Sequence, residues 1–257
     1  MDHAAYYDQV SELYDACIQV DFDIPFFLEE AQRVTGPVLE LMAGSGRVSL
    51  PLIDASVPLT CVDFSAGLVD ILRRKLAERA QSADLHVQDV RDLALGRKFD
   101  LVFIPFHSFT EVTDLADEER VLCHVADHLA DGGRFICTLH NPAVRLTAVT
   151  RPYGLWLKRP LPDAQGTVLL WGTQSHDPAT DLVTVLEFFE VYDPANVMRA
   201  RHMVELTFRL LQRAQFEAMA ARAGLVVEAL YGDYERAAFD ESSSPFMIWV
   251  MHKATAI

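Results

Sequence analysis

A glycine-rich turn that follows an apolar run is the first feature of the sequence that indicates a ligand site. The run Val38–Met42 leads into Ala43, and Gly44 and Gly46 follow before an amphipathic stretch begins. Glycine has no Cβ, so such a turn lets backbone N–H groups approach a ligand closely. The dinucleotide fingerprint has a third glycine at the position that Ser49 occupies here. The turn therefore indicates a nucleotide-like ligand and fits the NAD fingerprint only in part.

Acidic residues lie near the ends of three successive apolar runs. Glu40 lies near the end of the first run, Asp63 ends the second, and Asp89 follows the third. A single acid at such a place is often a helix cap, whereas three in corresponding places indicate a shared site. The carboxyl ends of parallel strands meet at one edge of a sheet, where ligands bind. We therefore expect the three carboxylates at a ligand-binding edge.

Two histidines and a tyrosine are candidates for catalysis. His107 follows the fourth apolar run and His140 follows the fifth, which predicts that both lie at the same edge of the sheet. Tyr7 and Tyr14 are seven residues apart, so they share one face of a predicted opening helix. Ordinary packing explains such residues equally well, and the sequence leaves that alternative open.

These residues must be positioned by strands that alternate with helices. Two helices within residues 6–33 precede the first strand. Short apolar strands then alternate with amphipathic stretches, which is the pattern of a parallel sheet with crossover helices. The predicted strands are Val38–Met42, Leu59–Asp63, Leu85–Val87, Leu101–Ile104 and Arg134–Leu139, and the helices between them are Arg47–Ala55, Ala66–Ala80 and Glu118–Leu129.

The pattern changes after His140 and predicts a β-rich insert. Three segments show the alternation of antiparallel strands, and one helix and two strands follow them. The segments are Thr167–Gly172, Leu182–Val191 and His202–Leu210, followed by the helix Arg213–Ala223 and the strands Leu225–Leu230 and Met247–His252. We expect a helical cap at 1–36, a core at 37–142 and 211–257, and a lid at 143–210.

Composition excludes several classes of function. The 257 residues include 22 Lys and Arg against 37 Asp and Glu, so the chain lacks the basic face that nucleic acid requires. Apolar runs such as Met247–Met251 are far shorter than the roughly 20 residues that span a bilayer. The N-terminus lacks a basic, apolar leader, so we expect a cytoplasmic protein. Four separated cysteines predict reduced core thiols, and no metal site is expected from the His and Asp spacing.

The turn and the acidic series together resemble those of class I S-adenosylmethionine-dependent methyltransferases. The resemblance runs from Val38 to the final strand, although many members carry Gly where this chain has Met42. The Tyr-rich opening helix is similar to that of small-molecule N-methyltransferases acting on amino sugars and glycine. The resemblance implies an α/β fold: a Rossmann-like, seven-stranded, mostly parallel sheet with helices on both faces, plus the antiparallel β-rich lid.

The resemblance also implies how S-adenosylmethionine is bound. The turn packs against the amino-acid part of the cofactor, Asp63 accepts hydrogen bonds from both ribose hydroxyls, and Asp89 with the Val90 backbone contacts adenine. The implied cofactor-binding residues are Tyr14, Glu40, Met42, Ala43, Gly44, Gly46, Asp63, Phe64, Ser65, Gln88, Asp89, Val90, Pro105 and Phe106.

The function implied by the resemblance is methyl transfer to a small-molecule acceptor. The Tyr-rich helix and the β lid favour an amine nitrogen, and an oxygen acceptor is the alternative. The protein mainly positions the reactants, and a base is needed only when the acceptor carries a proton. We expect His107 or His140 to assist that deprotonation and Tyr14 to orient the acceptor.

Three further possibilities stay open at this point. An NAD(P)-dependent oxidoreductase is less expected, because the third glycine of the fingerprint and a Tyr-x-x-x-Lys pair are both missing. A non-catalytic protein that retains the cofactor pocket is a second reading of the same residues. A homodimer paired through the lid is a further arrangement that the sequence does not decide.

Overall fold

The computed structural model describes residues 3–149 and 152–254. Its strands are β1 (Val38–Leu41), β2 (Leu59–Asp63), β3 (Asp84–Val87), β4 (Phe99–Ile104), β5 (Leu129–His140), β6 (Gly154–Pro160), β7 (Thr167–Asp177), β8 (Leu182–Tyr192), β9 (Met198–Arg209), β10 (Leu225–Tyr231) and β11 (Phe246–Lys253). Its α-helices are α1 (His3–Cys17), α2 (Ile24–Gln32), α3 (Ser49–Asp54), α4 (Ala66–Glu78), α5 (Leu115–His128), α6 (Pro142–Val149) and α7 (Arg213–Arg222).

Seven strands form the central sheet, in the spatial order β10-β11-β5-β4-β1-β2-β3. The five strands from β1 to β5 pair in parallel, whereas β11 lies antiparallel between β5 and β10. Every residue of β1 and β2 is buried, because helices cover both faces of the sheet. The prediction of a seven-stranded, mostly parallel sheet is confirmed.

Two apolar cores lie on the two faces of this sheet. On one face, α5 and α7 pack in a cluster that includes Phe109, Phe216 and Trp249. On the other face, α2, α3 and α4 pack in a cluster that includes Phe27 and Phe103, whose rings stack with centroids 4.8 Å apart. This burial holds the carboxyl ends of β1, β2 and β4 in fixed positions relative to one another.

A second sheet, in the order β6-β7-β8-β9, is antiparallel throughout. Helix α1 packs on it, with Val10 and Cys17 in one cluster with Val168 and Phe189. The predicted antiparallel insert is confirmed, but α6 and β6 were not predicted. Because residues 143–165 are rich in Pro and Arg, the sequence did not indicate either element. In the structure Trp156 of β6 lies directly over Gly172, so the insert has its own side-chain packing.

The start of one helix differs from its predicted position. The helix expected from Glu118 begins at Leu115. Asp114 caps it, because its side chain accepts hydrogen bonds from the backbone N–H groups of Ala116 and Asp117. A cap of this kind sets a helix start one turn earlier than the apolar pattern indicates.

The four cysteines are free thiols, and three of them are buried as predicted. Cys123 is exposed, so the prediction that it is a core residue is wrong. It follows Val121 and Leu122 in the sequence, both of which are fully buried. A helix turns by about 100° per residue, and this rotation carries Cys123 away from the core face of α5.

A buried carboxylate joins α2 to two other parts of the core. Glu30 is 1% exposed and accepts hydrogen bonds from Arg33, Arg134 and Arg236. Arg134 belongs to β5, and Arg236 lies between β10 and β11. The ion cluster therefore holds α2 against the sheet at the point where the chain enters β1.

We expect Glu30→Gln to lower the free energy of unfolding by about 3 kcal/mol, because it leaves three guanidinium groups without their shared carboxylate. Urea denaturation of the variant and the wild type measures the difference. Glu29→Gln is the matched control, because Glu29 is 56% exposed and pairs with Arg236 at the surface; its expected cost is below about 1 kcal/mol. Equal costs for the two variants would contradict the assigned role of Glu30.

Candidate functional site

A cleft opens at the carboxyl ends of β1 and β4. It is partly open to solvent. Its lining includes seven of the predicted site residues: Tyr14, Glu40, Met42, Ala43, Gly44, Pro105 and Phe106. Four lining residues were not predicted: Ser45, Arg47, Val48 and Ser108. The structure thus brings the opening helix, the glycine-rich turn and the end of β4 together around one space.

The turn after β1 needs three positive φ angles in five residues. Met42, Gly44 and Gly46 have φ values of 59°, 57° and 88°. A Cβ at Gly46 would lie 2.3 Å from the Leu72 side chain, so glycine is required there for packing against α4. A Cβ at Gly44 would meet nothing nearer than Leu68 at 3.9 Å. The turn therefore packs tightly against α4 at Gly46, whereas free space surrounds it at Gly44.

Asp63 connects the end of β2 to this turn. Its Oδ2 accepts the Gly44 N–H at 2.8 Å, and its Oδ1 accepts the Ser65 N–H at 2.9 Å. Burial raises the pKa of Asp63 to about 6, and these backbone hydrogen bonds oppose the rise. Asp63 is therefore mostly a carboxylate at neutral pH, and both of its oxygens already accept backbone hydrogen bonds.

Glu40 lies beneath the same turn and is 1% exposed. Its Oε2 accepts a hydrogen bond from the Ser49 hydroxyl at 2.6 Å. Burial raises the pKa of Glu40 to about 8, against the lowering effects of the Ser49 hydrogen bond and the charge of Arg47. At neutral pH this group is mainly a protonated acid, so it does not repel the neighbouring Asp63 charge.

The predicted adenine-contacting residues follow β3 and lie outside the cleft lining. The Gln88 N–H donates to the Asp63 carbonyl at 2.9 Å, which ties this segment to β2. Asp89 accepts the backbone N–H and the guanidinium of Arg91. Burial acts to raise the pKa of Asp89, but the Arg91 contacts outweigh it and hold that pKa below its usual value. Val90 is buried beside them.

Helix α1 lies over the cleft and is held there by polar contacts at two of its aspartates. Asp8 accepts the Ser65 hydroxyl at 2.6 Å, and Asp15 accepts the Ser45 hydroxyl at 2.5 Å. Lys75 of α4 pairs with Asp15 at 2.7 Å. These contacts place α1 beside the ends of both β1 and β2.

Tyr14 of α1 reaches the cleft, and its neighbour Tyr7 packs against it. The Tyr7 ring lies edge-on to both Tyr14 and Phe64, with centroids 5.8 and 5.9 Å away. Burial raises the pKa of the Tyr14 hydroxyl, and the negative charges of Glu111 and Asp63 raise it further. Tyr14 therefore stays protonated, and the carboxyl groups near it outweigh the opposing charge of Arg47.

Glu111 belongs to this group but was not among the predicted site residues. It ends a 3₁₀ turn, Ser108–Glu111, that follows β4, and it accepts the Tyr7 hydroxyl at 2.6 Å. Burial raises the pKa of Glu111 to about 7, with further increases from Asp63 and Glu187 and a decrease from the Tyr7 hydrogen bond. Its signal in the sequence is an acid four residues after His107, and because this acid ends a turn rather than a strand, the pattern of acids at strand ends does not include it.

His107 and His140 come together as a stacked pair at the ends of β4 and β5, with ring centroids 3.7 Å apart. His107 has a left-handed backbone with φ 66°, and so does Phe106 before it at 56°. Its Nδ1 has no hydrogen-bond partner among the described residues. Burial lowers the pKa of His107 to about 3, and burial also lowers that of His140. Both imidazoles are therefore neutral and weakly basic at physiological pH.

Arg47 is a second site residue that was not predicted. Its guanidinium makes a two-pronged ion pair with the fully buried Asp23, and it lies 4.7 Å from the centre of the Phe106 ring. It joins the chain before α2 to the end of β4.

Among residues 3–149 and 152–254, no group of three or more His, Cys, Asp or Glu side chains is arranged to hold a metal ion. Within the same ranges no helix is long and apolar enough to cross a membrane.

Comparison with known proteins shows which family the chain resembles in sequence. Residues 38–133 match the family described as "Methyltransferase domain". The chain is 30% identical to the cypemycin N-terminal methyltransferase of a Streptomyces species, over 77% of this chain and 75% of that protein. It is 26% identical to the dTDP-3-amino-3,6-dideoxy-alpha-D-glucopyranose N,N-dimethyltransferase of Streptomyces fradiae, over 89% of this chain and 88% of that protein.

Two further proteins are similar to this chain, one in sequence over part of its length and one in fold. The demethylmenaquinone methyltransferase of Clavibacter sepedonicus is 30% identical over 62% of this chain, and the match spans 66% of that protein's length. The crystal structure of an S-adenosylmethionine-dependent methyltransferase from Clostridium acetobutylicum superposes with a TM-score of 0.82, covering 97% of this chain and 100% of that one at 20% identity. This likeness confirms the fold class.

The raised pKa of Glu40 predicts a pH-dependent contribution to stability. A carboxyl whose pKa is higher in the folded protein contributes stability below its usual pKa of 4.5 and loses it as the pH rises through about 8. We expect the difference in free energy of unfolding between the wild type and Glu40→Gln to fall as the pH rises from about 5 to 8. Urea denaturation across that range measures it.

The exposed residue Glu78 provides the control, because its replacement by Gln removes a carboxylate from the surface. The Glu78→Gln variant should follow the wild type at every pH. A wild-type advantage over Glu40→Gln that stays constant from pH 5 to 8 would show that Glu40 has an ordinary pKa.

Proposed function

Since the chain belongs to the S-adenosylmethionine-dependent methyltransferases, we propose that it transfers a methyl group from this cofactor to an amine nitrogen of a small molecule. When bound, S-adenosylmethionine supplies an electrophilic methyl group on a positively charged sulfur. The observation that carries the proposal is the cleft in which the glycine-rich turn, Tyr14 and Phe106 meet. Two relatives are named for nitrogen acceptors, which supports the amine over the alternative, an oxygen acceptor.

The residues around Asp63 fit the ribose of this cofactor. The carboxylate accepts backbone N–H groups from Gly44, Ser65 and Phe64, and a carboxylate has about four lone-pair sites, so it can still accept a hydrogen bond from a ligand. Two adjacent hydroxyls on one ring are suited to such a pair of acceptors. The open side of the turn at Gly44 leaves room for the ligand to approach. We assign ribose binding to Asp63, with Phe64 and Ser65 beside the nucleoside.

With the ribose at Asp63, the other parts of the cofactor can be assigned to the residues around the cleft. The methionine part lies along the turn and Tyr14, where the carboxylates of Asp63 and Glu111 make the surroundings favourable for a sulfonium cation. The residues assigned to the methionine part are Tyr14, Glu40, Met42, Ala43, Gly44 and Gly46; those assigned to adenine are Gln88, Asp89 and Val90; and those assigned to the methyl side are Pro105 and Phe106.

The acceptor lies between the end of β4 and the insert in this account. His107, His140 and Tyr14 are the proposed residues around it, with Tyr14 orienting the nitrogen. A pKa of about 3 makes His107 a poor acceptor for the proton of an ammonium group at neutral pH. We therefore assign the two histidines to shaping the acceptor site. The lid role of residues 143–210, the homodimer and the cytoplasmic location stay predictions.

Replacing Asp63 tests the cofactor assignment. We expect Asp63→Asn to weaken binding of S-adenosylhomocysteine by about 10- to 100-fold, the worth of a hydrogen bond to a charged acceptor. Isothermal titration calorimetry gives the dissociation constant, and circular dichroism verifies the fold of each variant. Asp70→Asn is the matched control, because Asp70 is an exposed residue of α4. Unchanged affinity in a folded Asp63→Asn protein would refute the assignment.

An acceptor panel tests the proposed reaction. The protein is incubated with methyl-labelled S-adenosylmethionine and separate pools of amino sugars, peptides with free N-termini, and phenols. We expect label in the amine pools, because the surroundings of Tyr14 and Glu111 favour a cationic group. Label confined to phenols would support the oxygen acceptor instead. His107→Ala and His140→Ala in the same assay report whether either imidazole takes part in turnover.

A further inference from the structure

Glu111 lies where the core, α1 and the insert meet. The 3₁₀ turn that it ends also provides Ser108 to the cleft lining. From α1, the Tyr7 hydroxyl donates to Glu111 Oε1 at 2.6 Å. From β8 of the insert, Glu187 is near enough for its charge to act on Glu111. The carboxyl group is thus reached from all three parts of the protein that surround the proposed acceptor position.

Glu187 lies on the face of the antiparallel sheet that packs against α1. Side chains alternate between the two faces of a strand, and Val185 and Phe189 on either side of Glu187 along this face are both buried. Phe189 packs with α1 residues, which shows that this face is directed towards α1. Glu187 is therefore a carboxylate among apolar residues on the surface that faces Glu111 and Tyr7.

The groups that act on Glu111 come from three elements. They are Tyr7 of α1, Asp63 at the end of β2 and Glu187 of β8, and Tyr14 of α1 is a further titratable neighbour of Glu111. Burial contributes most to raising the pKa of Glu111, Asp63 and Glu187 raise it further, and the Tyr7 hydrogen bond lowers it. A carboxyl that titrates near pH 7 is well matched to proton transfer at that pH. The two histidines of the site lack this match.

We infer that Glu111 binds the ammonium group of the acceptor and removes its proton, with Tyr7 holding the carboxylate in position. This inference rests on the proposed amine methylation. It also defines the substrate class, an acceptor whose nitrogen is cationic in solution, because a carboxylate beside Asp63 and Glu187 attracts a cation and repels an anion.

The proton and electrons are balanced as follows. An N–H bond of the ammonium breaks, its electron pair stays on nitrogen, and the proton forms an O–H bond with Glu111. The nitrogen pair then forms the new N–C bond while the C–S bond of the sulfonium breaks, and its pair remains on sulfur. Glu111 afterwards releases the proton to water, so the net products are a methylated ammonium, the thioether and one proton.

The test compares pH profiles of kcat/KM for the wild type and Glu111→Gln with the amine that the acceptor panel identifies. The wild type should lose activity below about pH 7, as Glu111 is protonated. At pH 7 the variant should be slower by about 100-fold or more, the usual contribution of a general base. Its rate should rise with pH towards the wild-type rate, because alkaline solution deprotonates the amine without the enzyme.

Two further variants move the wild-type acid limb in opposite directions. Tyr7→Phe removes a hydrogen bond that stabilises the carboxylate, so the limb should move to higher pH. Glu187→Gln removes a negative charge that raises the pKa of Glu111, so the limb should move to lower pH. A residue with a purely structural role would reduce activity by the same factor at every pH and would produce neither shift.

The possible results distinguish a failure of this inference from a failure of the proposed function. Glu78→Gln, an exposed carboxylate of α4, should keep the wild-type profile, and S-adenosylhomocysteine affinity should be retained in Glu111→Gln. If the wild type methylates an amine and Glu111→Gln keeps the same profile, only the inference is overturned. If the wild type methylates no amine at any pH, the proposed function fails and the inference fails with it.

Discussion

The hydrogen bonds of Asp63 to the backbone of Gly44 and Ser65 are the interaction on which the site depends. They fix the end of β2 against the glycine-rich turn of β1, beside the cleft that this turn lines. The turn adopts three left-handed residues to make this approach, and the burial of β1 and β2 by helices on both faces supports that conformation. The proposed nucleoside site therefore depends on the packing of the sheet.

The acidity of the site has a physical consequence for its ligands. Glu40 is mainly protonated at neutral pH, whereas Asp63 is a carboxylate that accepts the Gly44 N–H of the turn, and Glu111 titrates near neutrality beside α1. A sulfonium and an ammonium are both cations, and both are favoured in these surroundings. A pyrophosphate would be repelled by these carboxylates, and the Arg47 guanidinium that lines the cleft is already paired with Asp23. The same carboxyl groups therefore serve the methyl donor and the methyl acceptor in this account.

The sequence was sufficient for the sheet and for most of the cleft, because both depend on local patterns. Apolar runs defined β1 and β2, and glycine spacing located the turn. It was insufficient for Glu111, whose environment is formed by Tyr7 and Glu187, residues distant from it in the chain. It was also insufficient for the histidine pKa values, because these depend on burial and on stacking between two strands. Long-range burial of polar groups leaves no periodic signal in the sequence.

Calorimetric titration of the unmodified protein with S-adenosylmethionine, and in a separate run with NAD⁺, tests the assignment of the cleft to S-adenosylmethionine. Both ligands offer a ribose to Asp63, but only the first presents a cation rather than a pyrophosphate to the carboxylates of Asp63 and Glu111. We expect saturable micromolar binding of S-adenosylmethionine with one site per chain and no measurable heat from NAD⁺. Saturable binding of NAD⁺ without binding of S-adenosylmethionine would contradict this assignment.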